Sequence, residues 1–198
     1  MSDLTPLRIT TPRLELVEVT PELAQANLDD MQEVARLLDA AIPSTWPPEH
    51  WEPSAIQWLI DRSRAHPNDR GWFAWHAVLK PNAAANAASR TLIGGSGVKG
   101  PPDANGVIEV GYGIVSEFQR QGFATEATSA LIEWTLRDPR VKRIDAETFP
   151  HLIPSLGVMR RLGMTSLGAG SAEGTVRYGV TREAWRQALS APNALGQP

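Results

Sequence analysis

The stretch that most constrains the fold, residues 106–127 (GVIEVGYGIVSEFQRQGFATEA), passes from an apolar segment through a polar turn into a helical pattern. Over 106–115 apolar residues are interspersed with glycines, which predicts a strand. From Gly122 to about residue 137 the apolar side chains recur at helical spacing, and Pro139 ends the pattern. A glycine therefore stands where a strand is joined to a helix.

The junction at Gly122 has the chemistry of an anion site. The first amides of a helix have no partners inside the helix, and the macrodipole makes that end positive. Gly122 and Ala124 have almost no side chain, so phosphate oxygens would approach the backbone closely, with Gln119 and Arg120 closing over them from the turn. A plain strand-to-helix turn has the same pattern, and spacing alone leaves both interpretations open.

A second glycine pattern is rejected as a nucleotide site. Gly95, Gly97 and Gly100 spell G-x-G-x-x-G, which binds dinucleotides when a helix begins directly after it. Here two prolines follow Gly100, so no helix continues from it. We interpret the segment as a glycine-rich strand and a turn.

The whole chain, residues 1–198, is predicted to form one mixed α/β domain. Segment 82–89, rich in Ala and Asn, is expected to be an exposed hairpin loop, and 191–198 a flexible tail. The periodicities predict strands at 10–20, 71–80, 90–100, 106–115, 141–149 and on both sides of 170–174, and helices at 21–40, 56–60, 122–137, 154–162 and 181–189.

The composition excludes several classes of function. The absence of cysteine excludes disulfides, thiolate metal sites and cysteine nucleophiles, and the four histidines have no metal-ligand spacing. A formal net charge of −3 argues against a nucleic-acid-binding protein. No apolar run reaches the length of a membrane span, and the first residues lack a signal-peptide pattern. We therefore expect a cytoplasmic protein without metal, nucleic-acid or membrane partners.

The motif Gln119-x-x-Gly122-x-Ala124 resembles the Q/R-x-x-G-x-G/A acyl-CoA signature of the GNAT superfamily of N-acetyltransferases. The resemblance covers nearly the whole chain, and it is greatest to the branch that acetylates ribosomal-protein N-termini. It is carried by TTPRLELVEVT (10–20), IEVGYGIVSEFQRQGFATEA (108–127), PSLGVMRRLGM (154–164) and REAWRQ (182–187).

The resemblance implies an α/β fold of the GNAT type, with a mixed, mostly antiparallel central sheet, splayed parallel strands and flanking helices. It implies transfer of acetyl from acetyl-CoA to a primary amine by direct attack on the thioester. The expected acceptor is a small-molecule or peptide amine, in particular a protein N-terminal α-amino group, and a homodimer is an expectation at the level of the family.

The same resemblance assigns the acyl-CoA contacts. Pantetheine is expected between the strands at 106–115 and 141–149, against the backbone of Ile114 and Val115, with the Val115 amide as a candidate oxyanion donor. The pyrophosphate is expected on residues 119–124, which are Gln119, Arg120, Gln121, Gly122, Phe123 and Ala124.

Glu109 is the candidate general base and acceptor-binding carboxylate, because it lies in an apolar strand beside the expected cleft. Glu147, on the adjacent strand, is the second choice. A peptide α-amino group, with a pKa of about 7.7–8.0, needs only a modest base. Strand carboxylates are equally typical of solvent-facing or structurally paired positions.

The residues at the positions expected to protonate the leaving thiolate differ from the broad family pattern. Many GNAT enzymes carry an asparagine and, seven residues later, a tyrosine; Leu152 and Met159 occupy those positions here. Ser155 matches a serine of the ribosomal branch and is the candidate catalytic donor to the CoA sulfur, although a first-turn polar residue would look the same. A non-catalytic acyl-CoA-binding or sensing domain is therefore the alternative, and a domain of this fold without CoA is a further one.

Tryptophans mark the expected acceptor side. Trp46 and Trp51 lie in the proline-rich segment 42–54, and Trp58 follows it. The resemblance places acceptor-binding elements there, so Trp46 and Trp51 are candidate walls of an acceptor pocket. Hydrophobic anchoring of an irregular loop explains them equally well.

Overall fold

The computed structural model describes residues 5–49, 51–84 and 88–190. A single 3₁₀ turn, Ser116–Phe118, occurs in these described ranges. The strands are β1 (Arg8–Thr10), β2 (Leu14–Glu18), β3 (Ala74–Leu79), β4 (Thr91–Val98), β5 (Val107–Ile114), β6 (Arg143–Thr148), β7 (Thr165–Ala169) and β8 (Val176–Thr181), and the helices are α1 (Pro21–Asp29), α2 (Met31–Leu38), α3 (Pro53–Ala65), α4 (Phe123–Thr135), α5 (Ile153–Arg161) and α6 (Arg182–Ser190).

The strands form one eight-stranded sheet in the order β1-β2-β3-β4-β5-β6-β8-β7. Neighbouring strands are antiparallel except β5 and β6, which run parallel. The predicted fold class, a mostly antiparallel α/β sheet with a parallel pair and flanking helices, is confirmed.

The parallel pair separates after a short common segment. Val107, Ile108 and Glu109 face Arg143, Ile144 and Asp145, and there the pairing ends. Strand β5 continues to Ile114 and β6 to Thr148, so a gap opens between them beyond Glu109. Main-chain groups directed into this gap lack ladder partners, which makes them available to an extended ligand.

Each face of the sheet carries its own helices. Helices α4, α5 and α6 cover one face, here called the α4 face, around a core that includes Trp75, Phe123 and Ile144. Helices α1, α2 and α3 cover the other, the α3 face, around Val17 and Phe73. No helix in the described part of the chain is long and apolar enough to cross a membrane.

The predicted helix 21–40 is wrong as a single element. The chain breaks at Asp30, whose backbone is extended (φ −154°, ψ 104°) and whose side chain accepts a hydrogen bond from the Gln32 amide. Aspartate is a strong N-cap, so it ends α1 and starts α2 within an uninterrupted apolar periodicity. The edge strand β1 was not predicted, because three residues are too few to show an alternation.

The connection between β3 and β4 contains the predicted loop 82–89. Residues 82, 88 and 89 are exposed, whereas Ala83 and Ala84 are half-buried against the core. Residues 85–87 and the predicted tail 191–198 lie outside the described residues.

Candidate active site

The register of β4 and β5 decides which main-chain groups face the gap. The Glu109 carbonyl accepts from the Lys99 amide at 3.1 Å, and the Val115 amide donates to the Ile93 carbonyl at 2.9 Å. In an antiparallel ladder such groups alternate, so the N–H and C=O groups of Tyr112 and Ile114 point the other way, into the gap. The expectation that the Val115 amide serves as an oxyanion donor is therefore wrong, because this amide is used inside the sheet.

Helix α4 begins beside this gap with unused amides. Gly122 is its N-cap residue, in the left-handed conformation (φ 83°, ψ 0°), and no side chain caps the helix. Within the described ranges, nothing accepts a hydrogen bond from the backbone N–H groups of residues 120–125. A row of free donors at the positive end of a 13-residue helix has the chemistry of an anion-binding site.

Arg13 holds this junction in place. Its Nε donates to Glu126 Oε2 at 2.6 Å, and its Nη1 donates to the Gln121 carbonyl at 2.9 Å. Its guanidinium also stacks on the Phe123 ring, 4.3 Å from the centroid. Although burial opposes it, hydrogen bonds from Thr11 and Arg13 lower the pKa of Glu126, so the pair stays charged. Sequence reasoning missed Arg13, whose partners are more than a hundred residues away.

The predicted pyrophosphate residues lie together around the junction. Gln119 folds back, and its Nε2 donates to the Ile114 carbonyl at 2.9 Å, which closes the turn against the end of β5. Arg120 is exposed and has a positive φ of 59°. Phe123 is buried in the core, and Ala124 is partly buried beside it.

Ser155 lies in the first turn of α5 and meets Tyr112 across the gap. The Tyr112 hydroxyl donates to the Ser155 carbonyl at 3.0 Å and lies 3.2 Å from the Ser155 hydroxyl oxygen. Burial raises the pKa of Tyr112, so its hydroxyl stays protonated. The contact joins a residue of β5 to α5, and its only signal in the sequence is the position of Tyr112 on the expected cleft strand.

The two family donor positions are occupied by apolar side chains that serve the fold. Met159 is buried in the core beneath α5. Leu152 is the N-cap residue of α5 and makes no side-chain capping bond. Neither side chain donates a hydrogen bond, so Ser155 and Tyr112 are the hydroxyl donors that the structure brings to this end of the gap.

The two candidate bases have different surroundings. Glu109 stands on the α3 face where the gap opens, and its side chain is 23% exposed and ion-paired with the exposed Lys99. Glu147 is bound by the Ser171 amide, the Ser171 hydroxyl and Arg177. Burial opposes but does not cancel these bonds, which lower the pKa of Glu147 to about 2. Glu147 therefore holds the β7–β8 loop in place, and these contacts do not support it as the general base.

The predicted tryptophans surround a buried histidine. The Trp46 and Trp51 rings lie 5.3 and 5.4 Å from the His76 ring, centroid to centroid. Asn27 Nδ2 lies 3.1 Å from His76 Nε2, and burial lowers the pKa of His76 to about 3, so the ring is neutral. His76 Nδ1 and Trp51 Nε1 are buried without a hydrogen-bond partner among the described residues.

The tryptophan loop lies directly on glycines of the cleft strands. A Cβ atom on Gly95 would come within 3.1 Å of the Trp51 ring, and one on Gly113 would contact Pro48 at 3.4 Å. The loop is also tied to the turn before α4, since Thr45 Oγ1 donates to Glu117 at 2.8 Å. The acceptor-side candidates and the anion-site candidates are thus neighbours across β5.

A large cavity in the described structure lies away from the gap. It has a volume of about 550 Å³ and is bordered by β2, α1 and the segment after α3. None of the predicted site residues lines it, and two of its charged wall residues, Arg70 and Glu18, pair with each other at 2.5 Å. The volume of this cavity therefore does not make it the candidate site. No cluster of three or more metal-binding side chains occurs among the residues described.

Comparison with known proteins identifies the class and then the family. A family profile described as an acetyltransferase (GNAT) domain matches residues 13–165. The protein is therefore an acyltransferase enzyme, of a class that uses acetyl-CoA. The chain belongs to the GNAT family of N-acetyltransferases.

Individual relatives agree in sequence and in fold. An uncharacterized N-acetyltransferase of Bacillus subtilis (strain 168), YjdG, is 28% identical over 151 residues, 76% of this chain and 84% of the relative. Mycobacterium smegmatis RimJ in complex with CoA-disulfide has a TM-score of 0.57 at 17% identity, covering 93% of this chain and 92% of RimJ. The ribosomal-protein-S5-alanine acetyltransferase of Vibrio fischeri has a TM-score of 0.58 at 16% identity, covering 90% and 98%.

Proposed function

We propose that the protein transfers the acetyl group of acetyl-CoA to a primary amine, with a peptide or protein α-amino group as the acceptor. The observation that carries the proposal is the row of free N–H groups at residues 120–125, next to the gap between β5 and β6. One end fits a pyrophosphate and the other an extended pantetheine arm, which is the shape of a CoA thioester.

The residues that would hold acetyl-CoA follow from this placement. The amides of 120–125 bind the pyrophosphate, helped by the macrodipole of α4 and by the adjacent Arg13 and Arg120. The gap-facing N–H groups of Tyr112 and Ile114 bind the pantetheine chain or the thioester carbonyl. Hydrogen bonds to a charged group contribute about 1.5–3 kcal/mol each, so the pyrophosphate end dominates affinity.

The reaction needs a neutral amine and a carboxylate to receive its proton. The amine nitrogen attacks the thioester carbon, the C–S bond breaks, and the amine loses a proton. An α-amino group with a pKa of about 7.7–8.0 is partly neutral near pH 7.5, unlike lysine at about 10.4. Glu109 stands at the apex of the gap and is the carboxylate proposed for the proton, directly or through water.

The leaving thiolate takes its proton from a hydroxyl at the point where Tyr112 of β5 meets helix α5. Ser155 is proposed as the donor, and its hydroxyl, which lies 3.2 Å from that of Tyr112, regains a proton from solvent. Tyr112 holds Ser155 in position through the carbonyl bond, and its raised pKa keeps the hydroxyl protonated. This pair supplies the function that Leu152 and Met159 cannot.

A peptide acceptor is favoured by the neighbours in fold. RimJ and the ribosomal-protein-S5-alanine acetyltransferase share this architecture, and the latter acts on a protein alanine according to its name. A similar fold at less than 20% sequence identity does not show that two proteins share a substrate. It does make a protein N-terminus the first acceptor to test.

The alternative is a domain that binds acyl-CoA without turnover. The observation that favours it is the pair of apolar residues, Leu152 and Met159, at the family donor positions. The two functions differ in one measurement, which is the release of CoA in the presence of an amine.

The test measures free CoA thiol released from acetyl-CoA with a panel of N-terminal peptides, lysine-bearing peptides with blocked N-termini, and small amines. We expect turnover with α-amino peptides and little with blocked ones. Acetyl-CoA that raises the melting temperature without thiol release from any amine would support the non-catalytic alternative.

A further inference from the structure

An apolar cavity of about 180 Å³ lies on the α3 face beside the gap. Its walls include Trp51, Trp58, Leu59 and Phe73, and Gly97 of β4 contributes the sheet side. None of the residues that line it carries a charge. Burying a charged group there would cost several kcal/mol, so the cavity selects for an apolar group.

The cavity adjoins the place where the acetyl group would be presented. Gly97 pairs with Gly111 across β4 and β5, and Glu109 lies two residues before Gly111 on the same face, roughly 7 Å away. A Cβ atom built on Gly111 would meet nothing within 4 Å, so the surface between the cavity and Glu109 is open. The gap begins directly beyond Glu109.

A cation already stands beside the carboxylate at this point. The Lys99 ammonium is ion-paired with Glu109, although the Lys99 side chain is 69% exposed and extends over open surface. Exposed pairs of this kind contribute little to stability, about 0–1 kcal/mol. A substrate ammonium can therefore replace Lys99 at small cost, and the pair marks the position that a positive group takes.

We propose that the cavity receives the apolar side chain of the first residue of a peptide acceptor, whose α-ammonium replaces Lys99 beside Glu109. The inference rests on the proposed function and adds the substrate class. A cavity of about 150 Å³ holds a benzene molecule, so one side chain of the size of leucine, methionine or phenylalanine fills this one. A carboxylate or a second ammonium at the first residue would be excluded.

The experiment compares peptides that differ only in their first residue, which is Leu, Phe, Gly or Asp, at fixed acetyl-CoA. Apolar side chains in such cavities discriminate by about 10–200-fold, so kcat/KM for Leu and Phe is expected to exceed that for Gly by at least about tenfold. Asp is expected to be slower than Gly.

Two variants and a control test whether the cavity is responsible. Trp58→Ala removes a wall and is expected to bring kcat/KM for the Leu peptide down to the value for the Gly peptide. Leu189→Ala removes a similarly exposed apolar side chain from α6 and is expected to leave the preference intact. Gly111→Val fills open surface in a strand, where valine is favoured, and is expected to raise KM for every peptide while the melting temperature and the acetyl-CoA response are retained.

The outcomes separate the inference from the function on which it rests. Equal kcat/KM for all first residues, or equal loss of preference in Trp58→Ala and Leu189→Ala, would overturn the cavity assignment while acetyl transfer stands. No acetylation of any peptide would overturn both. A Leu and Phe preference that disappears only in Trp58→Ala would establish the assignment.

Discussion

Replacing Gly122 by glutamate separates anion binding from backbone strain. Gly122 has a φ of 83°, and a Cβ atom there would lie 3.4 Å from Arg13 Nη2, so a side chain fits without a clash. A non-glycine residue in this conformation costs about 1–2 kcal/mol, or roughly 2–8 °C of melting temperature in a domain of this size. The new carboxylate would stand before the amides of 120–125 and repel a phosphate.

Gly163 supplies the matched control. Its φ is 72° and a Cβ atom would meet nothing within 4 Å, so Gly163→Glu has the same strain and charge at the end of α5. At a hundred times its dissociation constant, acetyl-CoA should add about 2.7 kcal/mol to the wild type and to Gly163→Glu. In Gly122→Glu a hundredfold weaker affinity would leave about 0.4 kcal/mol.

The assay is a thermal melt of the three proteins with and without acetyl-CoA. We expect both variants to melt lower than the wild type, and a ligand shift of roughly 5–10 °C in the wild type and Gly163→Glu only. Equal shifts in all three proteins would refute the placement of the pyrophosphate at the start of α4. A loss of the shift in both variants would show that general destabilisation, not the site, is responsible.

Three further predictions concern the titrating and hydroxyl groups of the site. The unfolded chain protonates His76 below about pH 6.5 but the folded chain only near 3, so stability falls as the pH drops. Urea unfolding at pH 7 and pH 5 should show a loss of about 2 kcal/mol that is absent in His76→Phe; equal losses would contradict it. In thiol-release assays, Ser155→Ala should lower kcat about 10²-fold or more with little change in KM, and Tyr112→Phe should lower kcat by a smaller factor. An unchanged kcat in Ser155→Ala would exclude Ser155 as the proton donor. Glu147→Gln should lower the melting temperature but leave the pH profile of activity between pH 6 and 9 unchanged, because its pKa of about 2 lies below that range; a shifted profile would restore it as a base.

Local pattern predicted the parts of the site that are local in the chain. The strand, the turn and the helix start around Gly122 are consecutive, so periodicity and glycine placement were enough to predict them. The anion-site hypothesis followed from the unpaired amides of any helix start. The break at Asp30 was missed because the apolar spacing runs through it, although an aspartate cap was visible in the sequence.

Contacts between segments that are distant along the chain could not be predicted from the sequence. Arg13 joins Glu126 across 113 positions, and Tyr112 joins Ser155 across 43. The direction of the Val115 amide depends on strand register, which a period of two does not reveal. The low pKa of Glu147 requires the β7–β8 loop to fold back onto β6, so it follows only from the assembled sheet.

The short pairing of β5 with β6 has a consequence for how the molecule opens. The sheet consists of a five-stranded and a three-stranded part joined at a seam of few main-chain bonds, with α4 and α5 packed over it. In native-state hydrogen exchange, cooperative units of a protein separate at regions that have few main-chain hydrogen bonds. A ligand lying in the gap completes the seam as an added strand would. Amides of β6 and β8, remote from the anion site, should therefore exchange more slowly when acetyl-CoA is bound.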